Sequence, residues 1–353
     1  MKLFRTGRTV VWIGIVIVLA LMGVEILLRI NPHIAGQQYV NFIWGNIPAR
    51  DLVQWYDPNL KMIFYNENIH VTRYMNGYTW NHQTDARGFR NPPGATGSDL
   101  VLLGDSFVYG TGIDQKDTLA QRLRESGYDV YNLARIGDNP HSEMYMLSKY
   151  GLPLKPKYVL YFYYQNDVSE LQSLGEEEIR AFIQQPFEEV SFKEKSDHPL
   201  PTRPASLTQQ MLEKTYLGKY LISRILLSRE DRAYKAVFDH TIGWAYTQKA
   251  ISYMDRLARE SGATFVIIPI IVDSPCRERG MAVPCRKGAA FERTILKEFA
   301  LENNIPFLDT REMNNDNYYL TNDGHFSKAG HQKMAELIDT YLREKMGVRP
   351  IVD

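Results

Sequence analysis

The sequence predicts an α/β domain whose parallel sheet is covered on both faces, preceded by an N-terminal transmembrane helix and interrupted by a helical insertion. Three observations predict this. From residue 99 onward, short apolar runs alternate with amphipathic helical stretches, the pattern left when helices carry the chain between parallel strands. The first thirty residues carry an apolar run long enough to cross a bilayer. Residues 169–242 break the alternation with acidic runs, a Pro-bearing loop and Leu- and Tyr-rich stretches.

In chain order, Lys2, Arg5 and Arg8 form a short tail (residues 1–9), and an apolar segment fills 10–30 with Glu25 near its far end. The run from Val10 to Leu28, broken only by Glu25, spans about 28 Å as a helix, the thickness of a hydrocarbon core. A cleaved signal peptide is the competing reading. Its apolar region is typically about 7–15 residues and ends at small residues, whereas Met22, Arg29 and His33 stand where small residues are needed. The basic flank predicts a cytoplasmic N-terminus. Everything after Arg29 is then extracytoplasmic, on the periplasmic side of a single-pass cell-membrane protein. Residues 31–96, rich in Asn, Tyr and Trp, read as a stem with short strands, and 97–346 as the main domain.

Within that domain Leu100–Leu103 is an apolar run typical of a buried strand, followed by helical spacing over 118–125. Strands are predicted at 129–132, 158–162, 264–271 and, more weakly, 306–308. Helices are predicted at 142–149, 247–259, 292–303 and 328–345. The 169–242 insertion reads either as extra helices on the domain's edge or as a cap over the ligand side of the sheet, because it follows a strand's C-terminal end.

Composition narrows the function. Lys+Arg and Asp+Glu both total 41, with no basic stripe, which sets nucleic acid aside as a partner. The only cysteines, Cys276 and Cys285, flank a Pro- and Gly-bearing loop. With no further Cys or His beside them they are a poor zinc site, and in an oxidising compartment a disulfide is the expectation. No Gly-rich phosphate loop or metal cluster is evident, so no cofactor is expected.

Two constellations carry chemistry. Gly104-Asp105-Ser106-Phe107 follows the first strand directly. A strand that turns into a helix there exposes the serine hydroxyl at the sheet's C-terminal edge, with free backbone N–H groups beside it to receive an oxyanion. The plainer reading is a β–α turn with serine as helix cap. Asp323-Gly324-His325 precedes the last amphipathic stretch. A serine nucleophile needs a base, and the base needs a carboxylate to fix its tautomer. His325 alone reads as a loop residue; paired with Ser106 it reads as the base, oriented by Asp323, with Asp316 the weaker alternative. His141 and His331 read as structural, and the 161–164 aromatic cluster as strand core with Tyr164 able to reach substrate.

These blocks, taken in order, resemble the SGNH hydrolases, also called GDSL lipases and acylhydrolases. Asn132-Leu133-Ala134-Arg135-Ile136-Gly137 resembles that family's second block and Gln165-Asn166-Asp167-Val168 its third, while Gly112 and Gly88-Phe89-Arg90 resemble its membrane-anchored bacterial members. The resemblance covers residues 86–168 and 260–345. It implies a flavodoxin-like three-layer α/β/α fold, Ser106, Asp323 and His325 as catalytic residues, and an oxyanion hole of the Ser106 and Gly137 amides and the Asn166 side chain. Tyr164 departs from the family, which places glycine there. The Asp-x-His spacing resembles its alginate O-acetyltransferase branch. The expected reaction is hydrolysis of O-acyl, above all acetyl, esters on an envelope glycan or lipid. Acyl transfer to a polysaccharide hydroxyl is the alternative, and a catalytically silent binding or scaffold protein the reading from another class.

Overall fold

A computed structural model of the chain describes residues 2–35, 53–75, 78–197, 214–221, 224, 240–270, 289–321 and 323–347. Cys276 and Cys285, and with them the expected disulfide, lie outside the described residues, as does much of the insertion.

The chain divides into two compact units. One comprises residues 1–51 and 200–236. Its main element is helix α1 (Lys2–Ile30), in which Thr9–Ile30 is long and apolar enough to cross a membrane and only Leu28 is buried by protein. Glu25 does not stand unpaired on this helix. It accepts hydrogen bonds from the backbone N–H groups of Tyr216 (3.1 Å) and Leu217 (2.8 Å) and from Arg29 Nε at 2.7 Å.

The other unit, residues 52–199 and 237–353, is built on a four-stranded parallel sheet. Its strands are β5 (Leu100–Leu103), β6 (Val130–Asn132), β7 (Tyr158–Tyr164) and β8 (Thr264–Ile270), in the spatial order β6-β5-β7-β8. The weakest predicted strand, 306–308, is reduced to a single parallel bridge between Phe307 and Ile267. This bridge adds a fifth position and completes the flavodoxin-like order. The strands are buried except at Tyr158, Tyr164 and Thr264 and read as continuous apolar runs because both faces are covered. Val101, Leu103, Val159, Tyr161, Phe265 and Ile267 share one core cluster with helices α4 (Pro140–Met146), α7 (His240–Glu260) and α8 (Ala289–Glu302). The alternate residues Leu100, Leu102, Leu160, Phe162, Val266 and Ile268 point the other way and are equally buried. Helices α3 (Leu119–Glu125) and α9 (Lys328–Met346), which pack on each other, supply the buried Leu119, Leu123, Met334, Ile338 and Leu342.

Two antiparallel hairpins precede the sheet in sequence: β1–β2 (Gln54–Asp57 with Met62–Tyr65) and β3–β4 (His70–Met75 with Tyr78–Gln83). They fall in the stretch the sequence reading gave to a stem, yet they belong to the compact unit of the sheet. Trp55 stacks on Phe64 at 5.2 Å and Phe64 meets Tyr145 edge-on at 6.1 Å, so the first hairpin closes over the same core as α4. The early part of the insertion forms α5 (Asp167–Glu170) and α6 (Glu176–Gln184). Phe182 of α6 sits 4.3 Å from Tyr246, and its Ile179 is buried in the main core, so these helices pack on the domain itself.

Candidate active site

The site gathers at the C-terminal ends of β5 and β7, where the chain, after passing from β5 to β6, returns to the other side of β5. This is the position at which open parallel sheets leave a crevice. Gly104 ends β5 in a tight space: a Cβ there would lie 2.7 Å from Val108 Cγ2 and 3.1 Å from Phe162 Cβ. The chain can therefore turn sharply only with glycine at this position. Asp105 caps the next helix, α2 (Ser106–Tyr109), accepting from Phe107 N–H at 2.9 Å. Ser106 begins it. The helix is a single turn, so its dipole adds less than the sequence reading assumed, and the donors beside the serine are individual N–H groups.

Ser106 is 8% exposed, and its Oγ lies 2.7 Å from His325 Nε2. The other ring nitrogen, Nδ1, faces Asp323 Oδ1 in a short hydrogen bond, and the same carboxylate accepts from the His325 backbone N–H at 3.2 Å. A carboxylate only accepts, so it takes the Nδ1–H and leaves the Nε2 lone pair toward the serine hydroxyl. Of the two carboxylates considered, Asp323 contacts His325 Nδ1, whereas Asp316 is exposed in the separate turn Asp316–Tyr318. Phe107 packs against the His325 ring at 4.9 Å and against Tyr164 at 4.5 Å, placing Tyr164 one ring away from the histidine.

Gly137 is exposed, with φ +81° and open space where a Cβ would lie. Its loop is held from both sides. Arg135 and Asp138, flanking it, form an ion pair with side chains only 2% and 5% exposed, at 2.6 Å. Ile136 N–H donates to Tyr65 Oη of the first hairpin at 3.2 Å. Asn166 follows β7, and its Nδ2 donates to Glu170 Oε1 at 2.8 Å. Ser106, His325 and Asp323 are thus in direct contact, whereas Gly137 and Asn166 are placed by their own partners.

The electrostatics beneath the site are acidic. Burial pushes the Asp105 carboxyl up to about 6, although the Phe107 N–H and His325 pull it down. Burial, reinforced by Asp105, raises Asp167 well above the carboxylate range and lifts Glu170 to about 8. Glu143 is raised by burial and then by Asp167. His141 and His331 serve packing. His141 bridges Tyr246 Oη (2.9 Å) and Leu60 O (3.1 Å), and buried His331 accepts from Leu119 N–H at 3.1 Å through Nδ1. Among the described residues no His, Cys, Asp and Glu group has the arrangement of a metal site. Tyr65, Asp138 and Glu170 escaped the sequence reading. Only Asp138, three residues beyond Arg135, left a local signal.

A family model for the GDSL-like lipase/acylhydrolases matches residues 100–338. No curated protein matches the sequence. Among solved structures, the chain is similar to a lipase/acylhydrolase from Enterococcus faecalis (16% identity, TM-score 0.42), covering 72% of this chain and 100% of that one. It is similar also to an acetylxylan esterase from Geobacillus stearothermophilus (13%, 0.41; 73% and 97% covered). A third is a GDSL-like lipase from Bacteroides thetaiotaomicron (13%, 0.40; 72% and 92% covered).

Proposed function

The chain belongs to the GDSL-like lipase/acylhydrolase family of ester hydrolases, and from that premise we propose that it cleaves O-acyl esters through a Ser106–His325–Asp323 acyl-enzyme mechanism. The observation that carries the reading is the continuous contact from Ser106 Oγ through both His325 nitrogens to Asp323. His325 Nε2 takes the Ser106 proton as Oγ attacks the ester carbonyl carbon. The carbonyl electrons move onto oxygen, and the oxyanion is received by the Ser106 and Gly137 N–H groups and the Asn166 amide. Collapse expels the alcohol, which takes its proton from His325. Water, deprotonated by the same nitrogen, then releases the acid. Each oxyanion donor is worth about 2.7–4 kcal/mol in such sites.

The acyl group proposed is acetyl. Tyr164 stands where the family has glycine, and its ring, tilted against Phe107 beside His325, narrows the acyl side of the serine. The substrate class proposed is an acetylated envelope glycan or lipid, met by a domain held at the membrane through α1 with its N-terminus cytoplasmic. The Asp323-x-His325 pairing favours a second reading, in which a sugar hydroxyl replaces water as acceptor. The test is p-nitrophenyl acetate hydrolysis by the full chain in detergent, wild type against Ser106→Ala. Loss of activity in the variant is expected. Equal activity in both would remove Ser106 from the mechanism and leave a silent binding protein as the better account. Acetyl transfer from the same ester to an added glycan would favour the transferase reading over hydrolysis.

A further inference from the structure

Asn166 is held by a carboxyl group that no step of the proposed reaction uses. Its Nδ2 donates to Glu170 Oε1 at 2.8 Å, one helical turn further along α5. The backbone of that turn is itself fixed. Glu170 N–H donates to Asn166 O at 2.9 Å, Ser169 Oγ to the same oxygen at 2.9 Å, and Asn139 Nδ2 to Glu170 O at 3.3 Å. The Asn166 Oδ1 and the Glu170 Oε2 are both buried without a hydrogen-bond partner. The amide is therefore oriented by one contact alone. A primary amide has two N–H groups in one plane, so fixing one fixes the direction of the other.

We propose that Glu170 is the positioning residue for the oxyanion donor: by holding one Asn166 N–H, it aims the other at the substrate's carbonyl oxygen. This rests on the reading of Asn166 as an oxyanion donor. Without Glu170 the amide would be free to rotate and to present Oδ1, which repels an oxyanion. The surroundings explain how a carboxyl group can serve so close to a developing negative charge. The charged and titratable groups that bear on Glu170 are Asp105 from the turn after β5, Asp138 with its partner Arg135 after β6, Glu143 on α4 and Asp167 on α5 itself. Burial, then the like charges of Asp105 and Asp138, lifts Glu170 to about 8. Below that pH it is a neutral acceptor. Above it, a full negative charge stands one amide away from the oxyanion, so kcat falls on the alkaline side.

The experiment measures kcat and KM for p-nitrophenyl acetate with the full chain in detergent, from about pH 6 to about pH 10. The variants are Glu170→Leu, Glu170→Gln, Asn166→Ala and the double variant Asn166→Ala/Glu170→Leu. Loss of an aimed donor predicts a kcat about 10–100-fold lower in Glu170→Leu with KM changed less than about threefold. Glu170→Gln, whose amide oxygen still accepts the Asn166 N–H, recovers most of that loss and lacks the alkaline fall. In the double variant Glu170→Leu adds nothing to Asn166→Ala, because both remove the same donor. If Asn166→Ala lowers kcat but Glu170→Leu does not, or the two effects simply multiply, the positioning role is overturned while Asn166 keeps its place. If Asn166→Ala leaves kcat at the wild-type value, the donor reading and this inference fail together. Should Glu170→Leu not fold, the alkaline limb decides: its persistence in Glu170→Gln overturns the proposal.

Discussion

Replacing Arg135 with methionine isolates what holds the second loop of the site. Arg135 donates to both carboxylate oxygens of Asp138, at 3.0 and 2.6 Å, and also to Ile63 O of the first hairpin. Its guanidinium lies 5.0 Å over the Phe64 ring. Methionine keeps most of the aliphatic volume but removes every donor. Asp138, its side chain 5% exposed, then retains the Ser142 hydroxyl at 2.8 Å and the backbone N–H of residue 135, and no cation. Breaking a buried pair by removing one partner costs about 3–5 kcal/mol, mostly because the remaining charge is stranded. Removing both charges is far milder, since apolar replacements of buried pairs are often near neutral. Arg135→Met is therefore expected to lose about 3–5 kcal/mol, and Arg135→Met/Asp138→Leu to regain at least about half of it. Urea unfolding at neutral pH, followed by the fluorescence of the buried Trp55 and Trp80, reads both numbers. A loss below about 1 kcal/mol in the single variant, or additive losses in the double one, would refute the reasoning.

Three further outcomes follow from named contacts. Asp323→Asn replaces the carboxylate that accepts His325 Nδ1–H with an amide whose N–H can donate to Nδ1 instead, and should lower kcat about 10³–10⁴-fold through the wrong tautomer while leaving the unfolding midpoint nearly unchanged; a loss under tenfold would put the orienting role elsewhere. Tyr164→Gly removes the ring on Phe107 and should raise kcat/KM for p-nitrophenyl octanoate over acetate about tenfold or more. An unchanged ratio would take Tyr164 off the acyl side. Burial, with Arg90 next, holds His331 down to about 3. Its folded value lies below the unfolded one, so the stability it contributes is full above about pH 6.5 and is lost as pH falls toward about 3, at about 1.4 kcal/mol per unit. His331→Gln should flatten the acid side of the stability curve between those values, as read by urea midpoints; an unchanged slope would mean that the buried imidazole is not the titrating group.

What could be read from the chain alone follows from how local the cause is. The sheet strands announce themselves because burial on both faces leaves unbroken apolar runs such as Leu100–Leu103 and Thr264–Ile270. Helix α9 is delimited by Ser327 at its N-cap and Gly347 at its end, a signature visible in sequence. Ser106, His325 and Asp323 stood out because each sits in a short motif whose chemistry requires its neighbours. In residues 31–96 only short strands could be read, not their pairing into hairpins or their place in the main domain. β4 alternates buried Trp80 and His82 with exposed Thr79, Asn81 and Gln83, and six such residues in a polar stretch resemble a stem. Tyr65 and Glu170 were invisible for different reasons. Tyr65 acts across a sequence separation of 71 residues. Glu170 reads as an ordinary acidic residue in the first turns of a helix until its burial is known.

The hairpins also change what counts as the scaffold of the site. Arg90, 1% exposed, donates to the carbonyls of Tyr109 (3.0 Å) and Gly110 (2.7 Å) at the end of the Ser106 helix and to Asn81 O (3.0 Å) on β4. Among the described residues it makes no ion pair, so its charge is spread over backbone dipoles that point inward from both segments. Tyr65 receives Ile136 N–H beside Gly137, and Tyr78 Oη accepts from Thr321 N–H at 3.0 Å in the loop that carries Asp323 and His325. Each of the three loops bearing the serine, the second-block glycine and the histidine is thereby tied to residues 54–90 by a hydrogen bond involving its own backbone. An unmet backbone group at the buried Arg90 contacts costs about 1–3 kcal/mol. The loops of a site assembled at the end of one sheet are thus anchored, in this chain, to Arg90 and to two small hairpins that the sheet itself does not contain.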